Sequence, residues 1–195
     1  MEHSEQLTVM LIVLAYLVGS LPSAVLVCNS MGIADPRQQG SGNPGASNVL
    51  RIGNRRAAAY TLMGDAGKGI LAVLLARLLG QSLEVQSLCA LAALIGHLLP
   101  VFTGFKGGKG VATGLGVSLA LSWPLAVVQL ALWGLIMACG RIASVASILT
   151  ALLTPLLAWL ITPSLFLFYT AISLIMLIRH WRNIYRLARG EEARL

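Results

Sequence analysis

The chain has 195 residues, of which 57% are hydrophobic and 11% charged, whereas soluble domains carry about 25% charged residues. Fourteen Lys and Arg stand against seven Asp and Glu, a formal net charge of +7. With a mean hydropathy of +0.81, this composition excludes a multidomain soluble protein. It also argues against nucleic-acid binding, because no aromatic-basic platform accompanies the charge. We expect one polytopic membrane domain over residues 1–195, with the surplus positive charge in cytoplasmic loops.

The first apolar run, Leu7–Cys28, is uncharged and long enough to span a bilayer. Its flank carries Glu2 and Glu5 instead of the basic region of a signal peptide, so it reads as the first membrane helix. Gly19, Ser20, Pro22 and Ser23 interrupt it. The polar loop Asn29–Arg56 follows, and its four arginines place it in the cytoplasm. Within it lies Gly40-Ser41-Gly42-Asn43-Pro44-Gly45-Ala46-Ser47-Asn48-Val49-Leu50-Arg51. Glycines permit turns with positive φ and close backbone approach, and successive N–H groups in such turns form an anion nest. Ser41, Asn43, Ser47 and Asn48 add side-chain donors, and Arg51 suits a phosphate or carboxylate held by two parallel bonds. A flexible linker, the alternative, gains nothing from Asn43, Asn48 and Arg51 so close together.

Ala57–Leu79 is the second span, with Asp65 and Lys68 inside it at i, i+3. That spacing puts them on one helix face. Ionisable groups within a membrane point to function; a structural ion pair is the competing reading. Gly80–Glu84 is the outer turn. Val85–Phe105 is the third span, and its His97 lacks a second ligand at metal spacing, so no metal is expected. The stretch Gly104-Phe105-Lys106-Gly107-Gly108-Lys109-Gly110 opens a helix at Val111 and suits an anion at a helix N-terminus. It is not a nucleotide P-loop, since three residues, not four, precede the Gly-Lys pair and no Ser or Thr follows. Two cytoplasmic lysines on a tight turn would be the plainer account.

Val111–Cys139 is broken at Ser122-Trp123-Pro124 and Ile142–Ile178 around Thr162-Pro163. Keeping Arg141 and the arginines of the tail in the cytoplasm requires splitting both. The expected fold is therefore an all-α bundle of seven membrane helices, N-terminus outside and C-terminus cytoplasmic. The halves of Val111–Cys139 are short, about 10–17 residues, so one need not cross fully. In the tail, Arg179 to Glu192, a continuing helix would put His180 and Asn183 on one face. The same segment also reads as a basic amphipathic helix on anionic lipid, with Trp181 and Tyr185 at the interface. Cys28, Cys89 and Cys139 sit in apolar runs and are expected to be buried and unreactive.

This topology brings Ser41, Asn43, Asn48, Arg51, Lys106, Lys109, His180 and Asn183 to one cytoplasmic boundary, with Lys68 just inside the membrane. Such a set suits a phosphorylated ligand, and the surrounding apolar helices suit an acyl chain. A phosphate transporter would instead carry its site near the midplane, often with related repeats. A lipid-binding assembly protein would explain the basic tail but not the paired glycine loops.

SGNPGASNVLR at 41–51, GDAGKG at 64–69, GFKGGKGVATGLG at 104–116 and RHWRNIYRLARGEE at 179–192 resemble the bacterial acyl-phosphate-dependent glycerol-3-phosphate acyltransferases. GSLPSA at 19–24 is similar in style, and the likeness covers nearly the whole chain in family order. It implies a multi-pass protein of the bacterial inner membrane whose site faces the cytoplasm. The implied reaction moves a fatty acyl group from acyl phosphate to the sn-1 hydroxyl of glycerol 3-phosphate, giving lysophosphatidic acid and phosphate for phospholipid synthesis. The implied catalytic residues are Ser41, Arg51, Lys109, His180 and Asn183. Gly42, Asn43, Gly45, Asn48, Lys106, Gly107 and Gly108 would shape the substrate cradle, and Lys68 joins that set by position. The expected partners are the two substrates and membrane lipid, with a monomer working without cofactor or metal. The His-x4-Asp pair of the soluble-donor acyltransferases is absent: Tyr185 follows His180 at that spacing, and Phe102 follows His97. The base is either His180 or the donor's own phosphate, and Asp65, Lys68 and His97 remain without assigned roles.

Overall fold

A computed structural model describes the backbone of residues 2–195 and the side chains from residue 4 onward. Among the described residues the chain is all helical and has no strand. In order, the helices are α1 (Glu2–Gly19), α2 (Ser23–Ser30), α3 (Ala46–Arg51), α4 (Arg55–Leu78), α5 (Leu83–Leu98), α6 (Val111–Leu121), α7 (Trp123–Gly140), α8 (Ala143–Ile161), α9 (Phe166–Arg179) and α10 (Trp181–Ala188). Short 3-10 turns cover Val101–Thr103 and Pro163–Leu165. Four helices (α4, α5 with its 3-10 turn, α7 and α8) are long and apolar enough to cross a membrane. Two bent pairs pass the same test together: α1 with α2, at 43°, and the segment ending in α9 with α10, at 55°. The helix α6, at 11 residues, is shorter.

The chain forms two compact units, the first ending at Leu121 and the second running from Ser122 to Leu195. In the first, α4 lies against α6, α5, α3, α2 and α1, and α5 lies along α1. Small residues set the closest approach. A Cβ on Gly116 would stand 2.0 Å from the Ala66 carbonyl oxygen, and one on Gly69 would stand 2.5 Å from that of Thr113. These contacts put the start of α6 alongside the middle of α4, about 20 Å from the start of that helix at 1.5 Å per residue. Its far end is tied near the end of α4, where Arg77 Nη2 donates to the Ala120 carbonyl and Arg77 Nε to Gln86 Oε1 at 3.2 Å. A cation on the last carbonyls of a helix satisfies acceptors that have no partner within it. Helix α6 is thus a half-length helix that begins deep beside α4.

In the second unit, α8 packs on α7 and α9. Gln129 donates to Thr154 Oγ1 at 3.0 Å and Trp133 to Ser147 Oγ at 3.1 Å across the α7–α8 pair. Polar bonds of this kind join helices where apolar contact gives no preference for protein over lipid.

The breaks at Ser122 and Thr162 fall where proline predicts them. Three expectations need correction. Leu7–Cys28 is not one helix: Pro22, which lacks an N–H and clashes with the preceding turn, separates α1 from α2. The tail does not continue α9, because the helix breaks at His180. Cys139 is exposed, while Cys28 and Cys89 are buried: the sequence run is apolar, but α7 turns this position outward.

Candidate active site

The first glycine loop is built around Asn48. This side chain is 1% exposed; its Oδ1 accepts from the Ser41 N–H at 2.8 Å, and its Nδ2 donates to the carbonyls of Pro36 (2.8 Å) and Gln39 (3.0 Å). Asn48 therefore shapes the loop from within. Gly40 and Gly42 have φ of 58° and 70°, so the chain doubles back on either side of Ser41. The Asn43 N–H approaches Ser41 Oγ at 3.4 Å. Gly45 stands at the N-cap of α3, and Arg51, half-buried, lies in its last turn. Upstream, Arg37 bonds to both carboxylate oxygens of Asp35 (2.6–3.0 Å), and these bonds hold that carboxyl below its ordinary value against a smaller effect of burial.

The second glycine loop reverses at Gly104 and Phe105, with φ of 61° and 62°. Phe105 is a bulky residue in the left-handed region, which costs free energy and is retained where surrounding structure requires it. Its N–H donates to the Pro100 carbonyl at 2.9 Å. The chain then runs back along the end of α5. The Gly108 N–H donates to the His97 carbonyl at 3.1 Å, and a Cβ at Gly107 would meet the carbonyls of His97 and Leu98 at 2.2 and 2.5 Å. No side chain fits there. Lys106 is exposed, Gly108 buried and Lys109 half-buried just before α6 begins.

Beneath this loop lies an ionic cluster. Asp65 Oδ1 is 2.9 Å from Lys68 Nζ and 3.4 Å from His97 Nδ1. Lys68 Nζ also donates to the Leu21 carbonyl at 3.0 Å, in the break between α1 and α2. Asp65, Lys68 and His97 line one cleft with Pro22, Pro44, Lys106, Gly107 and Gly108. The two glycine motifs, about sixty residues apart in sequence, thus border the same space through Pro44 of the first and Lys106, Gly107 and Gly108 of the second, while Ser41, Arg51 and Lys109 are not among its lining residues. Lys68 lies at the floor of that cleft rather than on its rim. The role of His97 was not legible from sequence, because its partner Asp65 comes from another helix. Among the described residues no three His, Cys, Asp or Glu side chains gather as a metal site would need.

In the second unit, His180 and Asn183 are each 2% exposed. The break at His180 leaves its Nδ1 2.7 Å from the Met176 carbonyl. A carbonyl only accepts, so Nδ1 carries the hydrogen and Nε2 is the basic nitrogen of the neutral ring. Asn183 Nδ2 donates to Glu192 Oε1 at 2.6 Å, while its Oδ1 has no hydrogen-bond partner among the described residues. Glu192 also accepts from Ser144 Oγ (2.8 Å) and Arg186 Nε (2.7 Å). Burial pushes the Glu192 carboxyl up, and the bonds from Arg186, Ser144 and Asn183 outweigh this and hold it below its ordinary value. Sequence reasoning missed Glu192; a carboxylate directly after a run of arginines was the available signal. On α10 and at its C-terminal end, Arg182 stacks over Trp181 and Arg189 over Tyr185, both rings exposed.

Comparison with known proteins finds relatives over nearly the whole chain. Residues 9–190 match the family profile described as glycerol-3-phosphate acyltransferase. Proteins of that name from Methylococcus capsulatus (47% identical, covering 95% of each chain) and Laribacter hongkongensis (49% identical, 96% of each chain) are similar to it. Among solved structures, the fold is similar to PlsY (YgiH), described as an integral membrane glycerol 3-phosphate acyltransferase. Its glycerol 3-phosphate form superposes with a TM-score of 0.90 at 34% identity, over 96% of this chain and 95% of that one. Its lysophosphatidic acid form gives 0.88 at 33%. An all-helical chain with glycine loops at a polar cleft, matched over nearly its full length, belongs to the glycerol-3-phosphate acyltransferase family.

Proposed function

We propose that this chain transfers a fatty acyl group from acyl phosphate to the sn-1 hydroxyl of glycerol 3-phosphate, releasing lysophosphatidic acid and inorganic phosphate. The observation that carries the reading is the shared cleft: Pro44 of the first glycine loop and Lys106, Gly107 and Gly108 of the second border one space with Lys68. Forms of the structural relative with glycerol 3-phosphate and with lysophosphatidic acid support the acceptor and the product.

The donor in this reading is a mixed anhydride, already activated, whose leaving group is phosphate. N–H groups and cations stabilise charge developing on the carbonyl oxygen and on that phosphate, and holding both substrates in line supplies much of the remaining acceleration. Arg51 and Lys109 hold phosphates, Ser41 and the loop amides orient them, and Gly42, Asn43, Gly45, Asn48, Gly107 and Gly108 shape the cradle. Nε2 of His180, or the donor phosphate itself, takes the hydroxyl proton; Asn183 holds the acceptor. No side chain is acylated. Cys28 and Cys89 are buried, and an amide on Lys109 would turn over too slowly to be an intermediate.

We further propose seven spans, counting the four long helices, the two bent pairs and α6, with the N-terminus outside and the C-terminus in the cytoplasm. The arginine-rich loops support that sidedness. The chain acts as one membrane domain, which the family match running unbroken over residues 9–190 supports, and as a monomer in the bacterial inner membrane with its site facing the cytoplasm.

The deciding experiment is product formation by detergent-purified protein. Acyl phosphate with glycerol 3-phosphate is expected to give lysophosphatidic acid and phosphate in equal amounts, with intersecting lines when both substrates are varied. Product from an acyl thioester but not from acyl phosphate would overturn the donor. A stoichiometric acyl-protein adduct with parallel lines would overturn direct transfer. Single cysteines at positions 41, 109 and 183 should resist an impermeant thiol reagent in intact cells; ready labelling of any one would overturn the topology.

A further inference from the structure

The glycines of the second loop are restricted by different things. A Cβ at Gly107 would collide with backbone, the carbonyls of His97 and Leu98 at 2.2 and 2.5 Å. A Cβ at Gly108 would collide with a side chain: the His97 ring, with Nε2 at 2.2 Å and Cε1 at 2.9 Å. An imidazole normally turns away from such a contact. This one is 7% exposed, and its Nδ1 faces Asp65 Oδ1 at 3.4 Å. Asp65 is in turn held by Lys68 at 2.9 Å, and Lys68 is anchored to the Leu21 carbonyl at 3.0 Å. The ring is therefore fixed from behind by a chain of contacts reaching from α4 to the α1–α2 break, and the loop backbone rests on its other edge.

We propose that His97, braced by Asp65 and Lys68, is a positioning residue that sets the height of the Gly107–Gly108 backbone in the cleft. His97 acts at two points: its carbonyl accepts the Gly108 N–H at 3.1 Å, and its ring limits how near α5 the Gly108 Cα can lie. Without the ring the loop sinks toward α5; with a methyl at 108 and the ring in place, it is lifted away. Either shift moves the loop amides relative to Lys106 and Lys109, and a misplacement of about 1 Å in a reacting site costs on the order of 100-fold in rate.

The test is a rescue that distinguishes the two glycines. Gly108→Ala and Gly107→Ala are made in the wild-type chain and in His97→Asn, which keeps a donor toward Asp65 while removing the ring edge that meets residue 108. Two readouts are taken on the full chain in detergent. One is trypsin cleavage after Lys106 and Lys109 relative to cleavage near Arg55 and Arg56, which reports loop position and not general unfolding. The other is kcat and KM for each substrate, which alone rests on the acyl-transfer reading.

In the wild-type background Gly108→Ala should raise loop cleavage and lower kcat/KM about 100-fold. In the His97→Asn background the same change should have an effect several-fold smaller in both readouts, beyond the roughly twofold scatter expected of independent sites. Gly107→Ala should be equally damaging in both backgrounds. If Gly108→Ala alone fails to accumulate, its recovery with His97→Asn counts as the same rescue. Equal effects of Gly108→Ala in the two backgrounds, or rescue of Gly107→Ala as well, would overturn the proposal. A wild-type chain that makes no product refutes the acyl-transfer reading and leaves the proteolysis to decide this one.

Discussion

Asp65 and Glu192 are both carboxylates withdrawn from water, with side chains 4% and 6% exposed, yet their surroundings differ. Asp65 sits in the interior of α4, ten residues from its start, and its partners Lys68 and His97 are themselves 5% and 7% exposed. Glu192 lies in the tail beyond α10, and its cationic partner Arg186 is 35% exposed. Every partner in the first cluster is buried, whereas the cationic partner in the second is open to solvent. Two charges brought together in a dry interior recover their desolvation only as a pair, whereas an ion pair at the edge of water is individually weak and does its work through geometry. Asp65 therefore bears chiefly on whether the first unit is stable, and Glu192 on where Asn183 points.

The largest expected effect is that of Asp65→Asn. It leaves the Lys68 ammonium buried without its counter-charge and should destabilise the protein by about 3–5 kcal/mol, read as a large loss of thermal stability in detergent. Adding Lys68→Met should recover part of that loss, because it removes the orphaned charge; a double variant less stable than Asp65→Asn would show that Lys68 holds the Leu21 carbonyl independently of Asp65.

Glu192→Gln is expected to be milder in stability and sharper in function. It weakens charge-assisted bonds with Asn183, Arg186 and Ser144 and should cost about 1–3 kcal/mol, while kcat falls as Asn183 loses its orientation. A variant equally impaired in stability and unimpaired in kcat would make the two clusters alike and remove the distinction. The pH dependence has a definite sign. Glu192 is held below its ordinary value in the fold, so its contribution is complete above the ordinary carboxylate range, about pH 4.3, and is lost as pH falls through the lowered value. The stability gap between wild type and Glu192→Gln should thus be constant near neutrality and close on acidification. The smallest effect is that of Ser144→Ala, which removes one of three bonds to Glu192 and should cost about 1 kcal/mol.

Much of this arrangement was legible in the sequence. The apolar runs and their proline breaks gave the long helices, and the i, i+3 spacing gave the Asp65–Lys68 pair, because both follow from periodicity along one segment. The glycine loops were legible as loops, since their residues permit turns that others do not. Asn48 was read as a donor in the cradle; in the fold its amide is instead spent on the backbone of Pro36, Gln39 and Ser41, so that it shapes the loop.

What sequence alone determined was local: which segments are apolar, where helices must stop, and which residues can carry charge or turn the chain. Tertiary structure decided the rest. His97 joined Asp65 because α5 packs on α4, the Gly107–Gly108 loop folded back because its backbone fits only against the end of α5, and Asn183 gained Glu192 because the tail returns past α10. Each of these pairs depends on through-space distance between separate elements, and no periodicity along one segment encodes that distance.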